Sequence, residues 1–219
     1  MTTKIISKIT QKQINQIINL VEKDADLISI NVFEKQSPIY EYLKVRESEK
    51  CKIYLSRVGT FDSKSTNLII TEDLNGDLLG FILFQNVINQ QKDIAIISTI
   101  VSSSHRNKGI LKNMMNNLKQ SYDSISLSCF TDIVHVYSKL GFKPAGQWQT
   151  QIGLYFGYMD DGQIISVDDN DLNNLPAIKY AFQNFKNKNI NTWQNLIDKL
   201  NEDNNKEQLK ASQFIKHCF

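Results

Sequence analysis

The sequence predicts an α/β domain built on a mixed, mostly antiparallel sheet flanked by helices, with a C-terminal helical extension. Three observations predict it. Asn67 to Asp73 and Asp77 to Val87 are two apolar, β-branched runs joined through Asn75-Gly76, a dipeptide that suits a tight reversing turn because both residues tolerate positive φ. Ile94 to Val101 is a further apolar run that breaks into a polar loop and, past Gly109, into an amphipathic helix. From about Asp171 the strand pattern gives way to helical spacing, which divides the chain into a main domain, 1–168, and an extension, 169–219.

Taken in order, Lys4 to Ile9 reads as a short first strand. Thr10 caps a helix, with Gln13 three residues on as a capping box requires, and Ile14, Ile17, Ile18 and Val21 share one face. Ser37-Pro38 starts a second helix, with Pro in the first turn, where its missing N–H costs nothing. Lys52 to Val58 fits a helix end or a strand. Leu78 to Phe84 is almost continuously apolar, which predicts a strand buried on both faces.

After Gly109, the residues Ile110, Leu111, Met114, Met115 and Leu118 share one helical face. Ser124 to Phe130 alternates as a strand. Asp132 to Leu140 is a short helix ended by Gly141. Trp148 to Tyr158 has period two and splits into two strands near Gln151. Pro176 to Phe185, Thr192 to Leu200 and Glu207 to Phe219 read as three helices, with Asp169 to Asn174 and Asn201 to Asn205 as polar connectors. These helices carry too little apolar surface to stand alone, so they pack on the core or on a second subunit, leaving a homodimer open.

Composition narrows the functional classes. The 219 residues suffice for one core, or for one core with an appendage. A net charge of +2 offers no electrostatic basis for nucleic acid as the main partner. No apolar run approaches the roughly 20 residues that span a bilayer, so no membrane role is expected. Met1 to Thr10 is polar and lacks a cleavage pattern, so no signal peptide is expected and the cytoplasm is the default. The three cysteines, Cys51, Cys129 and Cys218, are too scattered for a disulfide framework or a zinc motif, and no metal is expected.

The chemistry lies in the unit of strand, polar loop, Gly109 and helix. A helix N-terminus leaves backbone N–H groups unpaired and carries partial positive charge. Arg106 and Lys108 add charge, and Gly109 lets the backbone come close to a ligand. This suits a pyrophosphate, although the spacing is neither that of a P-loop nor GxGxxG. Residues of these types also make a plain solvated cap.

The stretch Ile100 to Leu118, IVSSSHRNKGILKNMMNNL, resembles the acetyl-CoA motif of the GNAT superfamily of N-acetyltransferases, Arg/Gln-x-x-Gly-x-Gly/Ala after a strand and a short loop. Arg106 and Gly109 match it, whereas Leu111 stands where the family usually has Gly or Ala. Downstream, YSKLGF at Tyr137 to Phe142 is similar to the family's Tyr-x-x-x-Gly-Phe ending, and Phe130 stands where Asn is frequent. The resemblance covers about residues 1–160. It implies a splayed sheet whose strands at Ile94 to Val101 and Ser124 to Phe130 part to admit the pantetheine arm of acetyl-CoA or another acyl-CoA. Backbone groups of Thr99, Ile100 and Val101 would pair with that arm. The N–H groups of Asn107, Lys108, Gly109, Ile110 and Leu111 would hold the pyrophosphate.

The implied reaction is acetyl transfer from the thioester to an amine. The departing thiolate gains from a proton donor, and a tyrosine hydroxyl, pKa about 10, can serve a thiol of about 8.5 if it is well positioned. Tyr137 fits that role by resemblance, and equally fits plain aromatic packing. No residue is singled out as base: Glu72, Asp73, Asp93 and a water chain all stay open. His105 and His135 read as solvated. Trp148, Tyr155 and Tyr158 suit either an acceptor pocket or the core. The acceptor expected is a small-molecule amine. A protein or peptide amine, and a non-catalytic acyl-CoA-binding module, are the alternatives.

Overall fold

The computed structural model describes residues 1–159 and 162–218. Seven strands form one sheet: β1 (Thr2–Ile6), β2 (Asn67–Glu72), β3 (Leu78–Asn86), β4 (Asp93–Val101), β5 (Ser124–Cys129), β6 (Lys143–Trp148) and β7 (Gln151–Phe156). Their order is β1-β2-β3-β4-β5-β7-β6. Only β4 and β5 run parallel; every other neighbouring pair is antiparallel. The helices are α1 (Gln11–Lys23), α2 (Ala25–Ile28), α3 (Tyr40–Ser56), α4 (Ile110–Ser121), α5 (Val134–Ser138), α6 (Asp169–Asn173), α7 (Pro176–Lys188) and α8 (Trp193–Lys216).

Helices cover both faces of the sheet. Ile17 of α1 and Tyr54 of α3 pack with Leu68 and Phe81 in one core. On the other face Met114 and Leu118 of α4 pack with Ile82, Phe84 and Ile125. Strand β3 therefore has both faces buried, as its continuous apolar run requires. A third cluster joins Leu43 of α3, Phe185 of α7 and the start of α8.

Local signals hold where they are strongest. Thr10 and Gln13 form the expected capping box. In the β2–β3 hairpin Gly76 alone takes positive φ, +75°; Asn75 stays in ordinary space because the Asp73 carboxylate accepts from the N–H groups of Asn75 and Asp77 at 2.8 and 2.9 Å. Lys52 to Ser56 is helix, the last turn of α3.

Several boundaries differ from the sequence reading. The second long helix begins at Tyr40, because Ser37-Pro38 forms a turn before it, and the short α2 was not foreseen. The last two strands turn at Gln149, φ +52°, which leaves Trp148 on β6 and exposed. Asp169–Asn173 is a helical turn rather than a connector. Thr192 to Leu200 and the segment from Glu207 belong to one helix, α8, running through Asn201 to Asn205; of the expected range, Phe219 lies outside the described residues. A few asparagines cost a helix only about 0.7 kcal/mol each, and α8 is anchored at both ends: Leu196 and Leu200 lie in the third cluster, and Ala211 lies in the core on the side of β6 and β7.

Candidate active site

The site arises where the sheet opens. Strands β4 and β5 pair only through Asp93↔Ser124, Ile94↔Ile125 and Ala95↔Ser126. Beyond Ala95, β4 stays with β3 as far as Val101, and β5 stays with β7 as far as Cys129. The two strands thus part while each keeps its other neighbour. A bulge in β4 opposite Leu83 and Phe84 leaves Ile97 without a partner on β3. Such an extra residue bends and twists the strand. It also shifts the side-chain phase: Ile96 and Val101, five apart, both pack on the α4 face, whereas Ile97 and Ile100 face α1 and α3.

The opening is a cleft of about 620 Å³. Ile96, Thr99 and Val101 form one wall, and Leu127, Cys129 and Tyr137 the other. Along the free edge of β4 the backbone alternates in direction. Ser102 N–H bonds Leu79 O of β3 at 2.8 Å, and the Ile100 carbonyl lies against Gly80. Thr99 and Val101 therefore turn their N–H and C=O groups toward the opening, and Ile100 turns its own toward β3. Ser98 Oγ is buried without a hydrogen-bond partner, and the Thr99 hydroxyl faces the Tyr137 phenol.

Arg106, which lines the cleft, begins the loop before α4. Asn107 and Gly109 both take positive φ, +62° and +77°. The first bond into α4 is Asn113 N–H to Gly109 O, so the N–H groups of Ile110, Leu111 and Lys112 are free at the helix start. A Cβ on Gly109 would meet no protein atom within 4 Å; the glycine borders open space. The Leu111 side chain packs toward the core with Met114, away from that space, so the leucine does not narrow the approach. Lys108 is exposed beside the loop. Arg106 points elsewhere: its Nε donates to Val101 O at 3.1 Å and its Nη2 meets Asp24 Oδ2 at 2.5 Å. Asp24, buried at the end of α1, also pairs with Lys35 at 3.2 Å. A free strand edge, the unpartnered Ser98 hydroxyl and an open helix N-terminus together fit the pantetheine and pyrophosphate parts of acetyl-CoA.

Tyr137, on α5, is buried, with its ring edge-on to Phe142 at 5.9 Å. Burial pushes its phenol well above the ordinary value, Cys129 adds to the rise, and the facing Thr99 hydroxyl opposes it. Burial likewise pushes the Cys129 thiol, on the same wall, up to about 12. Both groups are held in their protonated, neutral forms.

None of the carboxylates considered as base lines the cleft. Glu72 pairs with Lys4 at 2.8 Å, Asp73 caps the hairpin turn, and Asp93 accepts the Tyr158 hydroxyl at 2.5 and 2.6 Å. Trp148, Tyr155 and Tyr158 do not line it either. His105 bonds Ser104 and His135 is exposed. The carboxylates that do line the cleft are Asp24, Asp26, Asp132 and Glu207. No linear pattern marks them, since they come from α1–α2, the turn after β5, and α8.

A comparison with curated proteins finds no match to this sequence. The model of the acetyltransferase (GNAT) family matches residues 28–142, more than half of the 219. Among solved structures, the chain is similar to the histone acetyltransferase HPA2 and related acetyltransferase from Corynebacterium glutamicum ATCC 13032, at 15% identity and TM-score 0.50, over 74% of this chain and 99% of that one. It is also similar to Ard1 from Thermoplasma volcanium, at 12% identity and TM-score 0.50, over 73% and 100%. At such identities the likeness is one of fold.

Proposed function

The chain belongs to the acetyltransferase (GNAT) family, and from that premise we propose that it moves an acetyl group from acetyl-CoA to a primary amine of a small molecule by direct attack on the thioester. One observation carries this reading: the free edge of β4 and the buried Tyr137 phenol line one cleft, whose lining reaches Arg106 in the loop that leads into α4.

The thioester supplies an acyl carbon open to an amine nitrogen, with a thiolate as leaving group. Thr99 and Val101 orient the pantetheine as an added strand would be oriented. The N–H groups from Asn107 to Leu111 hold the pyrophosphate, and Lys108 adds charge. Tyr137 donates a hydrogen bond to the departing sulfur. Its raised pKa makes it a weak acid, yet Cys129 reports that a thiol in the same surroundings is itself near 12. Burial raises phenol and thiol alike, so full proton transfer stays uphill and the phenol acts as a hydrogen-bond donor to the developing thiolate. The cleft carboxylates favour an incoming ammonium. Phe33 and Glu207 belong to its lining, and a cleft of about 620 Å³ accommodates a small acceptor.

The test is thiol release from acetyl-CoA over a panel of amines, amino acids, aminosugars, polyamines and short peptides. Amine-dependent release with a small molecule supports the reading. Release with peptides alone transfers the assignment to a protein amine. Binding of acetyl-CoA without release from any acceptor refutes catalysis.

A further inference from the structure

We propose that helix α8 builds the acceptor end of this cleft and that Glu207 on it is a specificity-determining residue, selecting small amines that carry net positive charge. The inference rests on the acyl-transfer reading above and adds to it the class of acceptor.

The helix lies wholly outside the segment 28–142 that matches the family, so this wall belongs to this chain rather than to the shared core. At its start, Trp193, Leu196 and Leu200 pack with Phe33 and Phe185. Near its end, Ala211, Phe214 and Ile215 pack in the core that contains Tyr137. Anchored at both ends, α8 carries its middle turns past the cleft with a fixed rotation.

Two of those middle residues do the work. Asn204 Oδ1 accepts from Val32 N–H at 2.8 Å, and its Nδ2 donates to Asn31 Oδ1 at 3.0 Å. This ties to α8 the loop whose Val32 and Phe33 line the cleft. One turn on, Glu207 Oε1 accepts from Thr131 Oγ1 at 3.0 Å and lies 3.4 Å from Lys210 Nζ. Val32, Phe33 and Glu207 also border a second hollow of about 530 Å³ behind the wall. These three residues are common to both linings, and Asn204 is the positioning residue of the loop that carries Val32 and Phe33.

The charge of the cleft lining sets the acceptor class. Four carboxylates line the cleft: Asp24, Asp26, Asp132 and Glu207. Three cations pair with them: Arg106 with Asp24, Lys35 with Asp24 and Asp26, and Lys210 with Asp132 and Glu207. One negative charge is left over, and Asp26 Oδ1 is buried without a hydrogen-bond partner. A cationic amine balances the excess, whereas an acceptor bearing its own carboxylate adds to it.

The experiment compares 1,4-diaminobutane with β-alanine as acceptors at saturating acetyl-CoA, for the wild type, Glu207→Gln, Glu207→Asp, Asn204→Ala and Leu209→Ser; Leu209 is 65% exposed on the outside of α8. The expected wild type prefers the diamine. Glu207→Gln raises its KM for the diamine about tenfold or more, with kcat and the acetyl-CoA thermal shift little changed. Glu207→Asp recovers part of the loss, Asn204→Ala raises KM for both acceptors, and Leu209→Ser changes neither. A wild type that prefers β-alanine, or a Glu207→Gln variant with the acceptor ratio of Leu209→Ser, overturns the inference while the acyl-transfer reading stands. Absence of thiol release with any amine overturns that reading and this inference with it.

Discussion

Replacing Gly109 by Ala separates the two demands placed on that residue. Its φ of +77° is a region where an L side chain costs about 1–2 kcal/mol. A Cβ there meets no protein atom within 4 Å, so no clash adds to this. For a chain of this size each kcal/mol moves the melting midpoint by roughly 2–4 °C, so the unliganded variant melts roughly 2–8 °C lower. Binding suffers more. The methyl group projects into the space where the pyrophosphate would lie against the free N–H groups. Loss of two hydrogen bonds to a charged group, at about 1.5–3 kcal/mol each, weakens acetyl-CoA by about 10²–10⁴-fold. At 100 times its Kd, acetyl-CoA stabilises the wild type by about 2.7 kcal/mol, a rise of roughly 5–10 °C. At the same concentration the variant keeps at most about 0.4 kcal/mol, a rise of roughly 1 °C. Thermal unfolding of both proteins with and without acetyl-CoA measures this directly. A variant that keeps the full ligand-induced rise refutes the reasoning, as does a wild type without one.

Tyr137→Phe keeps the ring that packs edge-on to Phe142 and removes only the hydroxyl. Turnover is expected to fall about 10²-fold or more with the acetyl-CoA thermal shift intact; unchanged steady-state turnover would leave Tyr137 a packing residue. Cys129 has a folded pKa of about 12 against an ordinary 9.0, so the stability it contributes is complete below pH 9 and is lost as pH rises toward 12. Urea midpoints at pH 8 and 10.5 should fall for the wild type and fall less for Cys129→Ala, at no more than about 1.4 kcal/mol per pH unit for this group; equal falls would refute the attribution. At pH 8 a thiol reagent should label exposed Cys218 quickly and buried Cys51 and Cys129 only on unfolding, which peptide mapping of the labelled protein checks. Gly157→Ala should cost about 3 kcal/mol or more, because φ is +84° and the new Cβ would clash with the Asp123 carbonyl oxygen; a loss under about 1 kcal/mol in urea unfolding would contradict this.

Features that depend on a few neighbouring residues are legible in the sequence. Positive φ at Gly76, Gly109 and Gly141 follows from the absence of a Cβ, and the apolar spacing of Ile110, Met114 and Leu118 follows from helical period. The turn at Gly109 and the helix end at Gly141 were readable for that reason, whereas the roles proposed for this loop and for Tyr137 rest on the family resemblance. Asn75 shows the limit of local reasoning: it tolerates positive φ but does not need it once Asp73 caps the turn.

The cleft itself was decided by tertiary structure. Its opening depends on where β4–β5 pairing stops and on a bulge seen only against β3. Arg106 reads as a charge for the phosphate until the fold brings Asp24 within 2.5 Å of it. Glu207 reads as the first residue of a separate helix after an asparagine-rich connector, until packing at both ends of α8 carries one helix through it and sets that carboxylate beside Thr131. By itself the sequence determined the backbone conformations and the periods, because those free energies are local. Which carboxylates share a cleft depends on sheet order and on helix packing, where the partners lie far apart in the chain and their contact is worth something only once the core between them has formed.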